Sequence, residues 1–168
     1  MKFHLVDRIE SIEPGKRIVT TKALSLAEEY LADHFPAFPV LPGVLMLEAM
    51  VQSAAWLVRI EQDFGRSIVV LRTARNVKYT SFVQPGGSLR CEVDAVSIGD
   101  DSAAFKGRGV VGDVQAVSAR MELRCFNLRD RQASLAEADE SIVAELRRRF
   151  SLIGGPAALE RAAAEATG

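Results

Sequence analysis

The chain has 168 residues, 21 of them lysine or arginine and 22 aspartate or glutamate, and 48% of its residues are hydrophobic. This length fits a domain of ordinary size, and a formal net charge of −1 excludes the strongly basic composition typical of nucleic-acid-binding proteins. The hydrophobic content also excludes a mostly disordered chain.

The N-terminal segment predicts two strands, at residues 3–12 and 17–24, separated by the turn sequence Glu-Pro-Gly-Lys. His4 is interpreted as a strand residue. Ser25 and Glu28 have the spacing of a capping box and predict a short helix to about residue 32. Charged residues stand where a signal peptide needs an apolar stretch, so we expect a cytoplasmic protein.

A stiff apolar loop follows at residues 34–43, because three prolines fix φ there and hold the preceding residues extended. Residues 44–60 are apolar on nearly every face of a helical wheel, with Glu48, Gln52 and Arg59 among the few exceptions. A helix of this kind is buried inside a fold. An embedded carboxylate makes the segment a poor membrane span, so we expect protein rather than lipid to cover it and no membrane span in the chain.

Four more runs have strand character, at residues 67–83, 88–98, 103–111 and 114–126, and turns rich in glycine, proline and aspartate separate most of them. Strands joined by short turns predict an antiparallel sheet. We therefore predict an α+β fold in which a curved sheet wraps around the apolar helix. Cys91 and Cys125 lie in apolar positions of these runs, and we expect both to be reduced core residues rather than zinc ligands.

After Asn127 the sequence changes from strand patterns to helix patterns. Ser134 and Glu137 have capping-box spacing, and apolar residues at helical spacing up to Phe150 predict one packed amphipathic helix. The Gly-Gly-Pro sequence at 154–156 ends this helix, and we expect the alanine-rich remainder to be short or frayed. The predicted organisation is a domain at residues 1–127 followed by a helical extension at residues 128–168.

The residues that can carry chemistry are concentrated between His34 and Gln52. His34 heads the rigid loop, and histidine changes its charge near neutral pH, so it is either a general base or a structural histidine. Glu48 interrupts the apolar helix, where a carboxylate needs a partner, a cavity or a proton. It is either the acid of a site or a structural residue paired with an arginine or with Gln52, one turn on.

Pro42 and Gly43 mark the start of the apolar helix, where the first N–H groups lack intrahelical acceptors and the helix dipole is positive. Such an end can stabilise negative charge on a carbonyl oxygen, and Gly43 has no Cβ to obstruct a ligand; an ordinary helix start is the alternative. A base, an acid and an oxyanion donor together indicate proton abstraction next to a carbonyl, with loss or gain of a β-group.

A dense motif in this segment closely resembles the signature of the (3R)-hydroxyacyl-[acyl-carrier-protein] dehydratases, the FabZ-like hotdog proteins. The motif reads His34-Phe35-Pro36-x-x-Pro39-Val40-x-Pro42-Gly43-Val44-Leu45-x-Leu47-Glu48-Ala49-Met50-x-Gln52. Weaker similarity extends from Leu5-Val6-Asp7-Arg8 to about Cys125. The resemblance implies a hotdog fold, a curved antiparallel sheet around a central helix, and homodimers that can assemble into homohexamers.

The resemblance also implies roles for individual residues. His34 corresponds to the catalytic histidine, and Glu48 to its acidic partner, which the other subunit contributes. Gly43 corresponds to the glycine whose N–H polarises the thioester carbonyl, and Gln52 to a glutamine that orients the carboxylate. The other predicted substrate-binding residues are Phe35, Pro42 and Val44.

The implied reaction is dehydration of a (3R)-3-hydroxyacyl thioester to the trans-2-enoyl thioester, in fatty-acid or related lipid or polyketide biosynthesis. No metal or bound cofactor is implied, since the substrate is carried on the phosphopantetheine of acyl carrier protein or on coenzyme A. Glutamate at position 48 resembles the branch that does not isomerise its product. An acyl thioesterase on the same fold, with Glu48 activating water, and a non-catalytic acyl-binding or scaffolding subunit are the alternatives.

Two departures from the family pattern flank the histidine, which has Asp33 before it and Ala37 after it where glycine is usual. Ala37 is strained only if its φ is positive.

Basic residues follow the central helix with no acidic residue among them, at Arg66, Arg72, Arg75, Lys78 and Arg90. We interpret Arg72, Arg75 and Lys78 as a candidate dock for an acidic acyl carrier protein, with solvated strand positions as the alternative. Candidate residues for an acyl tunnel, or for ordinary core packing, are Phe35, Phe38, Met46, Met50 and Trp56.

Overall fold

The computed structural model describes residues 3–166, in which six antiparallel strands form one sheet around a long helix. The strands lie in the order β1-β2-β4-β5-β6-β3. Their bounds are β1 Arg8–Glu13, β2 Arg17–Ala23, β3 Ile68–Tyr79, β4 Ser88–Ile98, β5 Ser102–Val111 and β6 Val114–Phe126. The α-helices are α1 Gly43–Glu61, α2 Ala136–Leu152 and α3 Gly155–Ala166, and short 3₁₀ turns lie at Glu29–Leu31, Leu128–Asp130 and Ala133–Leu135.

Helix α1 is the centre of the hydrophobic core, because strands β2 to β6 pack around its apolar surface. Gly107 on β5 permits a close approach, since a Cβ there would lie 3.1 Å from the Met50 Sδ. By length and composition alone α1 could cross a membrane, but 56% of that window is buried inside the fold. Core packing therefore accounts for its hydropathy, and the predicted α+β hotdog arrangement is confirmed.

Strands β1 and β3 form the two edges of the sheet. β3 is 12 residues long and pairs on one side with β6, so the sheet leaves its other row of N–H and C=O groups unpaired. Val70 on this strand is 44% exposed. A long edge with exposed apolar side chains is a ready template for pairing with another chain.

The first strand is shorter than predicted, since residues 3–7 and therefore His4 lie outside β1. The two predicted capping boxes are also wrong. The Ser25 hydroxyl accepts from the Ala27 N–H (3.1 Å), while the Glu28 carboxylate binds Lys22 instead. Helix α2 begins at Ala136 after Leu135, without a side-chain cap from Ser134. A capping box forms instead between Asn127 and Asp130, in a 3₁₀ turn.

The C-terminal extension is more ordered than predicted, and the expectation of a short or frayed end was wrong. Helix α3 packs against β1. The Ile9 N–H donates to the Ile153 carbonyl (2.8 Å), and the Arg161 guanidinium donates to the Glu10 carbonyl (2.8 Å). The exposed edge of β1 thus provides the hydrogen bonds and apolar contacts that the alanine-rich sequence alone does not reveal.

Helix α2 is fixed to the sheet by the carboxylate of Asp139, which is 1% exposed. It accepts hydrogen bonds from the Ser67 hydroxyl, from the backbone N–H groups of Leu128 (2.9 Å) and Arg129 (3.0 Å), and from the Arg129 Nε (3.1 Å). Burial opposes ionisation of Asp139, but these hydrogen bonds outweigh it and lower the pKa of the carboxyl. This anchor joins α2 to Ser67, directly before β3, and to the 3₁₀ turn that follows β6.

Both cysteines are free and buried, as predicted. Burial raises the pKa of the Cys91 thiol to about 12, and that of the Cys125 thiol is raised by the same cause. Neither thiol is therefore ionised near neutral pH.

Candidate active site

The Glu48 carboxylate lies in the second turn of α1 and is held there by Gln52. The Gln52 Nε2 donates to the Glu48 Oε1 (3.0 Å) and to the Phe3 carbonyl (3.0 Å). The Gln52 Oε1 accepts from the Leu5 N–H (2.9 Å). Of the sequence alternatives for Glu48, the structure therefore shows a partnership with Gln52, which is itself anchored to the N-terminal segment.

A cavity of about 370 Å³ opens beside this carboxylate and is called here the Glu48 cavity. It is bounded by one face of α1, by β3, by α2 and by Phe3 and His4 of the N-terminal segment. Its volume lies within the range of small-molecule sites. Among residues 3–166, no group of three or more His, Cys, Asp or Glu residues is arranged to hold a metal ion.

His34 lies on the proline-rich loop before α1, partly buried, with its ring centroid 4.3 Å from that of Phe35. Phe35 has a φ of 55°, a left-handed conformation that is costly for a bulky side chain. Ala37 does not share this conformation, so the departure from glycine there causes no strain. Within one chain His34 is not among the described residues that line the Glu48 cavity.

The start of α1 leaves two backbone N–H groups without an intrahelical acceptor. The N–H groups of Leu45 and Met46 both donate to the carbonyl of Pro42, at 2.9 and 3.1 Å. The N–H groups of Gly43 and Val44 precede them and have no acceptor within the helix. The Val44 side chain is 69% exposed.

Tyr79 is a neighbour of this helix start that the sequence did not reveal. A Cβ on Gly43 would lie 3.1 Å from the Tyr79 ring, so the absence of a side chain at Gly43 is what lets the ring approach. Burial raises the pKa of the Tyr79 hydroxyl. No local pattern could have identified the contact, because Tyr79 is the last residue of β3 and meets α1 through packing alone.

The candidate tunnel residues occupy three different environments. Phe35 and Phe38 are exposed on the loop, and Phe38 packs edge-on against Phe82 with ring centroids 5.7 Å apart. Met46 and Met50 are buried core residues, at 2% and 0% exposure. Trp56 lines the Glu48 cavity. The structure thus supports core packing for the two methionines and a cavity position for Trp56.

The five basic residues do not form one surface. Arg66 donates to the Asp100 carbonyl (3.3 Å) and pairs with Asp101 (3.5 Å). Arg90 pairs with Glu10 (3.1 Å) and with Glu92. Arg72, Arg75 and Lys78 are exposed on β3.

The strand register aligns Arg75 with basic residues on the two next strands of the sheet. Arg75 lies opposite Arg120 on β6, and Arg120 lies opposite Lys106 on β5. Directly paired residues share one face of a sheet, so these three side chains form a line of positive charge, called here the basic row. Sequence reasoning missed Arg120 and Lys106. The alternation of polar and apolar residues shows that both are polar strand positions, but it does not show the strand register that aligns them with Arg75.

The family model and two similar named proteins all indicate the same family. Residues 1–120 match the model of the FabA-like domain. A protein of Clostridium kluyveri named 3-hydroxyacyl-[acyl-carrier-protein] dehydratase FabZ is 33% identical over 119 residues, covering 71% of this chain and 83% of that protein. A Geobacillus thermodenitrificans protein with the same name is 43% identical over 113 residues, covering 64% of this chain and 73% of that protein.

A solved structure shares the fold. It is the dehydratase heterocomplex ApeI:P from Xenorhabdus doucetiae, which matches with a TM-score of 0.65, covering 79% of this chain and 90% of the other. The sequence identity in this match is 16%, so the similarity shows a common fold and nothing finer.

Proposed function

Because this chain belongs to the FabA-like family, we infer that it is a 3-hydroxyacyl-[acyl-carrier-protein] dehydratase, a hydro-lyase that forms a trans-2-enoyl thioester. The observation that carries this function is the Glu48 carboxylate, fixed by Gln52 at the edge of a cavity of about 370 Å³. A positioned carboxylate beside a cavity with both polar and apolar walls suits an acid that acts on an acyl chain.

We propose that the complete site forms between two subunits, with His34 of one chain meeting Glu48 of its partner. Two observations support this arrangement. His34 does not line the Glu48 cavity among the described residues of one chain, and the long edge of β3 beside that cavity is unpaired. A dimer that joins two such edges would bring the cavity next to residues of the second chain. Assembly of dimers into a hexamer stays a prediction.

In the proposed reaction the His34 imidazole takes the α-proton of the bound 3-hydroxyacyl thioester. The electron pair of that C–H bond forms the double bond as the bond between the β-carbon and oxygen breaks. The hydroxyl leaves as water with a proton supplied by Glu48, which Gln52 keeps in position. Proton return from the imidazolium to the carboxylate restores the starting state.

The start of α1 is proposed to bind the thioester carbonyl. The N–H of Gly43, supported by that of Val44, can donate to the oxygen as negative charge develops there, and the helix dipole adds to this effect. Pro42 fixes the direction of the helix start, since its carbonyl accepts from Leu45 and Met46. Phe35 is proposed to cover the substrate from the loop.

The substrate is proposed to arrive on an acyl carrier protein, with the basic row and the neighbouring Arg72 and Lys78 as the dock for its acidic surface. The phosphopantetheine arm of that carrier, or coenzyme A, then holds the acyl group. The reaction as proposed draws its proton transfers from His34 and Glu48 and needs no further cofactor. A cytoplasmic location stays a prediction.

The test is to incubate the purified protein with a 3-hydroxyacyl thioester and to follow enoyl absorbance and free thiol in parallel. Enoyl product that is lost in His34→Ala and Glu48→Gln supports the dehydratase. Release of free thiol would identify a thioesterase instead. A folded wild-type protein that forms neither product across a series of chain lengths would indicate a non-catalytic subunit.

A further inference from the structure

The far end of the Glu48 cavity contains an arginine that the proposed reaction does not use. Arg59 lines the cavity, and its Nε is shielded from solvent without a hydrogen-bond partner among residues 3–166. The guanidinium lies over the indole of Trp56, 5.3 Å from the ring centroid. A cation with a buried unpaired N–H is costly unless an acceptor is supplied from elsewhere.

Arg59 and Glu48 lie on the same face of α1. The lining residues Glu48, Gln52, Ala55 and Arg59 are spaced by four, three and four residues, which places them in one stripe along the helix. Arg59 follows Glu48 by eleven positions, so their Cα atoms lie about 16.5 Å apart along the helix axis at 1.5 Å per residue. Glu48 and Arg59 therefore mark an acidic and a basic part of the cavity, and the lining between them is Gln52 and apolar side chains.

The C-terminal extension contributes to the basic part of the cavity. Leu146 and Arg149 of α2 line the cavity, and α2 lies outside the residues that match the FabA-like domain. The contact of Phe150 with Trp56, at 5.9 Å between ring centroids, holds α2 beside this part of α1. The extension thus adds a second guanidinium to the wall opposite Glu48.

The electrostatic environment of Arg59 also indicates that this arginine lacks an anionic partner. Burial lowers the pKa of its guanidinium to about 10, and the group that acts in the opposite direction is the Cys125 thiol rather than a carboxylate. The guanidinium remains charged at neutral pH, yet no carboxylate among residues 3–166 opposes the effect of burial on it. An anionic ligand group would provide both the missing acceptor and the missing charge.

We propose that the preferred substrate of this site is a 3-hydroxyacyl thioester whose acyl chain ends in a carboxylate, which Arg59 binds with help from Arg149. This inference rests on the proposed dehydratase function and specifies its substrate class. The apolar side chains of Val51, Ala55 and Val69 contact the middle of the chain. The extension after the family domain is then a specificity element, since it supplies Arg149 and closes the wall beside Arg59.

The phosphate of the phosphopantetheine arm is a second source of negative charge at a comparable distance from the reacting carbons. The structure favours the acyl end, because the Arg59 Nε is shielded from solvent beside the Trp56 indole, whereas the arm must connect to a carrier outside the protein. Substrates carried on pantetheine, which has no phosphate, separate the two sources.

The experiment compares methyl-ended and carboxylate-ended 3-hydroxyacyl pantetheine thioesters of equal chain length, together with the methyl-ended phosphopantetheine thioester. Wild type is assayed beside Arg59→Met, Arg59→Lys and Arg149→Met. Arg148→Met is the matched control, since Arg148 is exposed on α2 and pairs with Glu145. Thermal unfolding and light scattering check that each variant keeps its fold and assembly.

We expect wild type to prefer the carboxylate-ended substrate in kcat/KM by about tenfold or more, the effect of a charge-assisted hydrogen bond. Arg59→Met should abolish this preference while it still dehydrates the methyl-ended substrate, and Arg59→Lys should keep part of it. Arg149→Met should weaken the preference, and Arg148→Met should leave it unchanged.

Three results would overturn the inference while leaving the dehydratase intact: a wild-type preference for the methyl end, a carboxylate preference that survives in Arg59→Met, or a preference that follows the phosphate. Failure of folded wild type to dehydrate any of the substrates would instead reject the proposed function, and this substrate class with it.

Discussion

The Gln52 Nε2 lies 3.0 Å from the Glu48 Oε1, one helical turn away on α1. The same amide binds the backbone of Phe3 and Leu5, so one side chain joins the catalytic candidate to the N-terminal segment. The orientation of Glu48 therefore depends on a residue that would not itself touch the reacting atoms. Gln52 is a positioning residue in this account.

Replacement of Gln52 by alanine should lower kcat about tenfold or more, because the carboxylate loses the hydrogen bond that orients it. It should also lower the free energy of unfolding by about 1 to 3 kcal/mol, since the Leu5 N–H loses its acceptor. Steady-state kinetics and urea unfolding measure the two effects. Gln84→Ala, at an exposed position, is the control. An unchanged kcat in folded Gln52→Ala would show that Gln52 does not position Glu48 for catalysis.

Gly43→Ala should reduce kcat/KM by about tenfold to a hundredfold with little loss of stability. The added Cβ would lie 3.1 Å from the Tyr79 ring and would push the ring or the helix start out of place, which disturbs the proposed oxyanion donor. Alanine is otherwise well tolerated in a helix. Kinetics and the Tm of the same preparation separate the two effects. Full activity in Gly43→Ala would show that the close approach to Tyr79 has no role in catalysis.

Asp139→Asn should lower the Tm most strongly near neutral pH. The folded state lowers the pKa of Asp139 below its ordinary value of 3.8, so its stabilising effect is present above that value and is lost as the pH falls through the folded pKa. The difference in Tm between wild type and Asp139→Asn should therefore shrink below about pH 4. Asp113→Asn, on an exposed turn, is the control. A difference that is constant with pH would mean that the charge of Asp139 does not anchor α2.

Charge reversal in the basic row should impair the carrier-bound substrate selectively. Lys106→Glu and Arg120→Glu are expected to raise KM for an acyl-carrier-protein substrate about tenfold at low salt, and the effect should fall as ionic strength rises. For a pantetheine thioester, the same variants should have the same KM as wild type. Arg148→Glu on α2 controls for net charge. Equal losses with both substrates would exclude the basic row as the dock.

The fold was largely predictable because its strongest determinants are local. A helix that is apolar on every face, followed by strands with short turns, leaves few arrangements besides a sheet wrapped around the helix. The errors arose where tertiary contacts compete with local patterns. Glu28 binds Lys22 rather than completing a capping box, and the alanine-rich end becomes α3 because β1 offers it an exposed edge.

The candidate site was predictable only as a set of residues. The motif identified His34, Gly43 and Glu48, but the contact of Gly43 with Tyr79 depends on how β3 packs against α1. Arg59 was visible as a polar residue in an apolar helix, yet its position in the Glu48 cavity depends on α2, far along the chain. Sequence spacing predicts which side chains share a face of one helix or strand. Contacts between different helices and strands depend on register and packing, which the spacing does not contain.

In the proposed dimer, each active site combines His34 of one subunit with Glu48 of the other. The most direct test is to form mixed dimers of His34→Ala and Glu48→Gln chains carrying different tags. Each homodimer should lose about a hundredfold or more in kcat, as expected when a general acid or base is removed. The mixed dimer should regain about half of the wild-type activity, because one of its two sites then has both native residues. A mixed dimer as inactive as its parents would show that His34 and Glu48 act within one chain or not together, and would rule out a site shared between subunits.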